Sequence, residues 1–400
     1  MSGKGLPAMS IAAPPAGDRA SALRRDVRSN PAELDAIALL GQRALLASVS
    51  RTGADGVAHV ARLLERAIGD LTGRRPTALD LEPRRTDGVS LAERGRFSAR
   101  LLAGQLFGRP AFSLFSHLSL AQAQLAVPRR VRAPYAVFLH GIEAWGAPLT
   151  PGRLAAVEGA ALLISNSRYT ADRMARAYPT LSHVFPCPLA LLPAHTPVGA
   201  PDAALLERVR PESVLIVGRM NAAERYKGHD ELLDAWPGLR ELVPGAQLVV
   251  AGGGDDVPRL RERSRELGLG ESVLFAGRVS DATLDRLYER SAVFAMPSRG
   301  EGFGIVYLEA MRAGKPCVAS ADDGGADVVV DGETGVLVPQ RDRRTLVAAL
   351  ALLLGNPERA RAMGAAGRRR FDAEFTFERF RDRLGVALAS AFGRGESGER

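Results

Sequence analysis

Short runs of apolar residues recur along the chain, each ending in a small or polar residue and most of them followed by a stretch whose apolar positions fall three or four apart. The first unit is the run Ala44 to Val49, the loop Ser50-Arg-Thr-Gly-Ala-Asp-Gly56, and a stretch from Val57 to Leu71 in which Val57, Val60, Leu63, Leu64 and Ile68 share one helical face. This pattern predicts a strand, a glycine loop and a helix. It recurs at Tyr135 to Leu139 before His140-Gly141, at Ala161 to Ile164 before Ser165-Asn-Ser167, at Ser213 to Val217 before Gly218-Arg219, and at Gln247 to Ala251 before Gly252-Gly-Gly254. Further strands are predicted at Val273 to Phe275, Val293 to Met296 and Pro316 to Ala319. Strands that are apolar throughout and alternate with helices belong to parallel sheets covered on both faces. In such sheets ligands bind beyond the carboxyl ends of the strands.

The rhythm is interrupted near the midpoint by Pro186, Pro188, Pro193, Pro197, Pro201 and Pro211, which read as an interdomain linker. Residues 1–34 are rich in Gly, Ala, Pro, Ser and Arg without apolar periodicity and are expected to form a mobile tail. A first α/β domain is expected over residues 35–200, a second over 201–375, a helix over 376–393 that packs back across the cleft, and a short tail over 394–400. Two doubly wound domains facing one another leave a cleft between them, the commonest place for a small-molecule site.

A chain of 400 residues with 46% hydrophobic and 24% charged positions has the balance of a two-domain globular protein. Its only cysteines, Cys187 and Cys317, exclude a disulfide framework and lie in no zinc-binding spacing, so a reducing, cytoplasmic setting is expected. The longest uncharged apolar run, Leu346 to Leu354, is far below the roughly 18 residues of a membrane span, and the first 34 residues lack an apolar signal core, so neither a spanning helix nor a secretion signal is expected. The net charge of +8 is uneven, with 24 Lys+Arg against 14 Asp+Glu in residues 1–200 and 29 against 31 in residues 201–400. A basic front half attracts nucleic acid, an anionic membrane surface or a phosphorylated substrate. Aromatic residues make up only 6% and do not interleave with the cations, so nucleic acid is not an expected partner, whereas peripheral contact with an anionic membrane is allowed. Only Lys4, Lys227 and Lys315 are lysines, among fifty arginines. A lysine retained in so arginine-rich a chain points to a place that wants a compact charge on a flexible stem, which singles out Lys227.

The richest segment chemically is Met296-Pro-Ser-Arg-Gly-Glu301-Gly-Phe-Gly304-Ile-Val-Tyr-Leu-Glu309-Ala-Met-Arg-Ala-Gly314-Lys-Pro316. A strand ends at Pro297, glycines let the backbone turn, and a helix is predicted from Ile305 to Arg312 with Gly314 as its stop. Free amides at the start of that helix form an anion site facing the cleft. Glu301 in the loop and Glu309 in the helix can both reach one ligand, and paired carboxylates accept bonds from sugar hydroxyls; a solvated Glu301 and a Glu309 paired with Arg312 is the alternative. After the strand Val214 to Val217 comes Gly218-Arg219-Met-Asn-Ala-Ala-Glu-Arg-Tyr-Lys227-Gly-His229. An arginine fork and a mobile ammonium at a strand's carboxyl end suit a diphosphate.

Gly218-Arg219 with Lys227-Gly-His229, followed by Glu301-Gly-Phe-Gly304 and by Glu309 eight residues after Glu301, resembles the retaining glycosyltransferases of family 4. These have the α/β fold called GT-B, two Rossmann-like doubly wound parallel-sheet domains facing a cleft, with a C-terminal helix crossing back to complete the N-terminal domain. The resemblance is close from about Val214 to Val338 and looser through His140-Gly141 and Ser165-Asn-Ser-Arg-Tyr-Thr170. It implies that Arg219 and Lys227 bind the diphosphate of a nucleotide sugar with help from the amides of Gly302, Phe303 and Gly304. It further implies that Glu309 holds the ribose hydroxyls, that Glu301 contacts the donor sugar near the reacting carbon, that His140 lines the sugar pocket from the opposite domain, and that the backbone of Arg278 reads the base. Glu301, His140, Arg219 and Lys227 are thereby the candidate catalytic residues. The implied activity is retaining transfer of a hexose-type sugar from a UDP- or GDP-sugar to a glycan, lipid-linked or small-molecule acceptor. Two segments depart from the family pattern: Thr52-Gly53-Ala-Asp-Gly56 is poorer in glycine than usual, and Asp322-Asp-Gly-Gly-Ala-Asp327 lacks the family's Pro and has Asp for its Glu, where Asp327 is expected to anchor a loop by accepting backbone N–H bonds. Tyr226 is as suited to packing as to binding.

Breaking an anomeric C–O bond builds negative charge on the leaving diphosphate, which must be stabilised. No Asp-x-Asp occurs in the chain to hold a metal for that purpose, so no metal or other cofactor is expected. Arg219, Lys227 and the helix amides would take its place, each such donor contributing roughly 3–4 kcal/mol by analogy with oxyanion-hole donors. A nicotinamide enzyme is disfavoured because Gly252-Gly-Gly254 does not continue as Gly-x-Gly-x-x-Gly and Pro258 follows closely. A pyridoxal-phosphate phosphorylase would need Lys315, which is better placed to cap a helix end. A catalytically inactive sugar-nucleotide-binding or scaffold protein of the same fold remains the alternative of a different class.

Overall fold

The computed structural model describes residues 43–53, 55–81, 89–181, 183–193 and 198–393; the tails expected at 1–34 and 394–400 lie outside them. The first sheet contains β1 (Ala44–Ser48), β2 (Thr77–Asp80), β3 (Phe112–Phe115), β4 (Tyr135–Leu139), β5 (Leu162–Ser165) and β6 (Val184–Pro186), in the order β2-β1-β3-β4-β5-β6. The second contains β7 (Ser213–Val217), β8 (Gln247–Ala251), β9 (Val273–Gly277), β10 (Val293–Met296), β11 (Cys317–Ser320) and β12 (Gly335–Val338), in the order β12-β11-β10-β7-β8-β9. Every pairing is parallel. The expected arrangement of two doubly wound parallel sheets facing a cleft is the one observed.

Strand geometry explains the core. Successive side chains of a strand point to opposite faces, so Ala44 and Leu46 of β1 and Ala136 and Phe138 of β4 join the large core cluster that continues into the second unit. Leu45, Ala47, Tyr135, Val137 and Leu139 instead fill a separate cluster on the other face of the first sheet. The helix Gly56–Thr72 starts where the Asp55 carboxylate accepts the Ala58 amide at 2.8 Å, and it buries Val60, Leu63, Leu64 and Ile68 as its periodicity requires. Val57, on the same face one turn earlier, is left half-buried and lines the cleft.

Each sheet has one place where successive connections run to opposite sides, between β1 and β3 in the first and between β7 and β10 in the second. The loops after β7 and β10 flank the second switch point, and they are the segments carrying Arg219 to Lys227 and Glu301 to Gly304. The last helix, Phe377–Phe392, begins at the Thr376 cap and packs on Gly56–Thr72 of the first unit. Phe392 stacks on Phe112 with centroids 4.8 Å apart, Arg66 lies over the Phe377 ring at 5.0 Å, and Arg383 donates to the Pro188 carbonyl at 3.0 Å. The helix before it, Pro357–Glu374, stays on the second unit, where Arg370 donates to the carbonyls of Val328 and Asp327.

Strands β2, β3, β6 and β12 were not expected from the sequence. Thr77-Ala-Leu-Asp80 buries only Leu79 fully, and Val184-Phe-Pro186 is an edge strand that ends on the first proline of the proline-rich segment, where a missing N–H is tolerated. The linker reading therefore begins too early at Pro186, which still pairs with Ser165. Pro258 does not obstruct a helix either: it occupies the first turn of Val257–Glu266, where proline has no hydrogen bond to lose.

Phe380 is fully buried in the crossing helix. Phe380→Ala is expected to lower unfolding free energy by about 3–5 kcal/mol, measured by chemical denaturation, because the cavity left between the helix and the first unit cannot collapse fully.

Candidate active site

A cleft of about 930 Å³ separates the carboxyl ends of the two sheets. His140, Arg219, Lys227, Arg278, Glu301, Gly302, Phe303, Gly304 and Glu309 all line it. The sequence-predicted residues thus converge from the ends of β4, β7, β9 and β10 and from the helix Ile305–Arg312.

The loop after β10 is shaped by contact with the opposite unit. A methyl group at Gly302 would collide with the carbonyl oxygen of His140, and one at Gly141 would meet the Gly302 Cα at 2.8 Å, so the two backbones touch across the cleft only because neither residue has a side chain. Asn166 donates its side-chain N–H to the same His140 carbonyl. Gly304 has φ +88°, which turns the chain into the helix Ile305–Arg312; no side chain caps that helix, and its first residues, Ile305 and Val306, face the cleft. Phe303 is 1% exposed and packs edge-on against Phe375 at 6.0 Å, so it offers the cleft its backbone alone. At the place where the sequence led us to expect an anion site, the cleft is therefore lined by main chain.

Glu309 is half-buried and accepts the Tyr288 hydroxyl at 2.7 Å. Burial raises its carboxyl above the usual range. Arg312 turns instead to Asp285 at 3.3 Å, so the alternative of a Glu309–Arg312 pair is not what forms. Arg278 is exposed, with its side-chain stem against Gly253 at the rim. Tyr226 is half-buried with its ring flanking Gly300, and burial together with the nearby Glu301 and Glu224 carboxylates raises its hydroxyl. Lys315 donates to the Glu289 carbonyl at 2.7 Å, capping the helix Asp281–Arg290 rather than its own. Asp327 does accept a backbone N–H, but across the cleft: its carboxylate takes the Tyr169 amide at 2.8 Å in the first turn of Arg168–Ala177.

Glu224 and Asp323 are two of the site residues that escaped the sequence reading. Glu224 stands between the cations, 2.6 Å from Arg219 and 3.7 Å from Lys227, and is itself steadied by Asn221 at 2.9 Å. Asp55, from the first unit, lies 3.9 Å from Arg219. Below this loop Arg225 and Arg259 share the buried Asp256, whose carboxyl their hydrogen bonds hold down at about 2. The second residue is Asp323, fully buried beneath the Glu301 loop. It accepts the Ser298 hydroxyl at 2.6 Å, the Glu301 amide at 3.1 Å and the Gly325 amide at 2.9 Å, while Gly324 donates back to the Glu301 carbonyl at 2.8 Å. Burial pushes Asp323 up to about 7, against the pull of its three donors. The Asp322-Asp323 pair was visible in the sequence, but nothing there showed which of the two turns inward. Among the described residues no group of three or more His, Cys, Asp or Glu side chains is placed to hold a metal ion.

Residues 203–370 match the family of glycosyl transferases group 1. The GDP-mannose-dependent alpha-(1-6)-phosphatidylinositol monomannoside mannosyltransferase of Mycolicibacterium smegmatis is 36% identical over 219 residues, which are 50% of this chain and 55% of that protein; the chain thus matches little more than half of its relative's length. Among solved structures, the sucrose-phosphate synthase of Thermosynechococcus elongatus superposes with a TM-score of 0.71 at 23% identity, over 86% of this chain and 97% of that one. Anabaena HepE in complex with UDP and glucose superposes with a TM-score of 0.68 at 18% identity, over 87% and 99%. These likenesses show the fold, and it is the GT-B fold expected from the sequence.

Asp323 generates a pH signature. A carboxyl whose folded pKa of about 7 exceeds its ordinary 3.8 binds its proton more tightly when folded, so its contribution to stability is complete below about pH 4 and is lost as pH rises through 7. Melting midpoints measured from pH 5 to 8 should fall with rising pH more steeply in the wild type than in Asp323→Asn; parallel curves would show that Asp323 does not titrate in this range.

Proposed function

We propose, for a chain whose residues 203–370 match the glycosyl transferases group 1, that it moves a hexose-type sugar from a nucleoside diphosphate sugar to an acceptor hydroxyl with retention at the anomeric carbon. The observation that carries this reading is the convergence of Arg219, Lys227, the bare amides of Gly302 to Val306 and the Glu309 carboxylate in one cleft. Cations and helix amides suit the diphosphate, and a half-buried carboxylate suits vicinal hydroxyls.

The bond to be made joins the acceptor oxygen to the anomeric carbon, and the bond to be broken joins that carbon to the leaving phosphate oxygen. The electron pair stays on the phosphate, which also takes the acceptor's proton. Arg219, Lys227 and the main-chain amides stabilise the growing charge, so we propose that the reaction needs no metal ion. Glu224 and Asp55 keep the two cations oriented before the donor arrives. The relative's name makes GDP-mannose the first donor to try and a phosphoinositide mannoside the first acceptor; UDP-glucose is the natural control. Contact with an anionic membrane is supported by the helix Leu91–Gly108, where Arg96, Arg100 and Phe107 recur on one exposed face, with Phe107 82% exposed.

Thermal unfolding with GDP, UDP and other nucleotides is the direct test, since a ligand bound only by the folded state raises the midpoint by mass action. One nucleoside diphosphate should raise it, and Lys227→Ala should abolish the rise while leaving the unliganded midpoint near that of the wild type; no shift with any nucleotide would favour an inactive scaffold. Release of the nucleoside diphosphate from its sugar should survive EDTA, and dependence on added magnesium or manganese would refute the metal-free leaving group. In sedimentation with vesicles, Arg96→Glu with Arg100→Glu should reduce binding to anionic lipid at low salt and have no effect on binding to neutral lipid.

A further inference from the structure

The first unit presents a second histidine to the cleft, His117, which no sequence motif singled out. β3 and β4 are neighbours, and His117 and His140 stand just beyond their carboxyl ends with ring centroids 5.3 Å apart. Both rings line the cleft. Their hydrogen bonds fix opposite tautomers. His140 Nε2 lies 2.6 Å from the carbonyl oxygen of Ser116; a carbonyl only accepts, so Nε2 carries a proton, and in the neutral ring Nδ1 is left as an acceptor. His117 Nδ1 lies 3.1 Å from the backbone N–H of Ser119, which only donates, so this nitrogen is bare and the ring proton sits on Nε2. Neither His140 Nδ1 nor His117 Nε2 has a partner among the described residues. Burial, with His140 alongside, lowers His117 to about 4, which keeps its ring neutral.

A ring that donates beside a ring that accepts is a combination with a narrow choice of ligand. A phosphate or carboxylate oxygen would face the lone pair of His140, and an ammonium would face the N–H of His117. A hydroxyl satisfies both, accepting from one ring and donating to the other. The sugar of a bound donor is the hydroxyl-bearing group closest to hand, because the diphosphate site at Gly302 to Gly304 abuts the His140 carbonyl.

We propose that His117 and His140 form a donor–acceptor pair that reads one hydroxyl of the donor sugar, with His117 Nε2–H bonding its oxygen and His140 Nδ1 taking its hydrogen. His117 is then a specificity residue for the sugar and plays no part in holding the nucleotide. The inference rests on the nucleotide-sugar reading above, and its test is separable from it.

The test compares affinities for the bare nucleoside diphosphate and for its sugar, GDP with GDP-mannose and UDP with UDP-glucose, in the wild type, His117→Phe and His117→Asn. Phenylalanine keeps the ring and removes the donor; asparagine keeps a donor and can still accept the Ser119 amide. The Phe variant should bind the nucleoside diphosphate as the wild type does and the sugar nucleotide at least tenfold more weakly, with part of the loss restored in the Asn variant. Equal affinity for the sugar nucleotide in wild type and Phe variant overturns the pair. A parallel loss for nucleotide and sugar nucleotide also overturns it, because the defect would then be in the shape of the cleft. Unchanged binding with slower turnover would move the hydroxyl to the acceptor and overturn the assignment to the donor sugar. A wild type that binds no nucleotide at all would fail the nucleotide-sugar reading itself.

Discussion

The candidate site depends on a place where two main chains touch. The turn after β4 and the turn after β10 meet at Gly141 and Gly302, with the His140 carbonyl pressed against the latter and held by Asn166. A close approach of this kind excludes side chains and leaves peptide groups to face the ligand, and peptide amides are the donors a diphosphate needs. The neighbouring charges then fall into place around it. Asp323 braces the Glu301 loop from inside the second unit, while Asp327 reaches out to the first. Arg219 and Lys227 are gathered by Glu224 on a loop that Arg225 and Asp256 pin from below.

The sheet and the site differed in how far they could be read from sequence. Strands such as Ser213–Val217 and Gln247–Ala251 were legible to the residue, because a strand buried on both faces must be apolar throughout. Thr77–Asp80 and Val184–Pro186 were not, because an edge strand buries little and carries no such pattern. The helix Ile305–Arg312 was legible to both ends, since Gly304 and Gly314 mark turns that few other residues can make.

The residues singled out as candidates for the site were likewise visible, and each of them lines the cleft. What stayed hidden were partnerships between elements distant in the chain. Glu224 reads as one more loop acid until the fold sets it between two cations, and Tyr288 is 21 residues from the carboxylate it bonds. His117 gains its meaning only from His140 on the next strand. Arg312 marks the same limit: proximity along the helix offered a pair with Glu309 as the alternative, and Asp285 on another helix takes it instead. Spacing reports neighbours on one element, and a binding site is assembled from several.

The bond from Asp327 to the Tyr169 amide has a consequence for motion. It gives the first turn of Arg168–Ala177, whose own cap is the Ser167 hydroxyl on the Thr170 amide, a second acceptor supplied by the other lobe. A hinge movement that draws Asp327 away from Tyr169 leaves the helix capped and exchanges one bond between the lobes, worth about 1 kcal/mol, for water. The exchange protection of a single amide, that of Tyr169, therefore reports whether the molecule is open or shut.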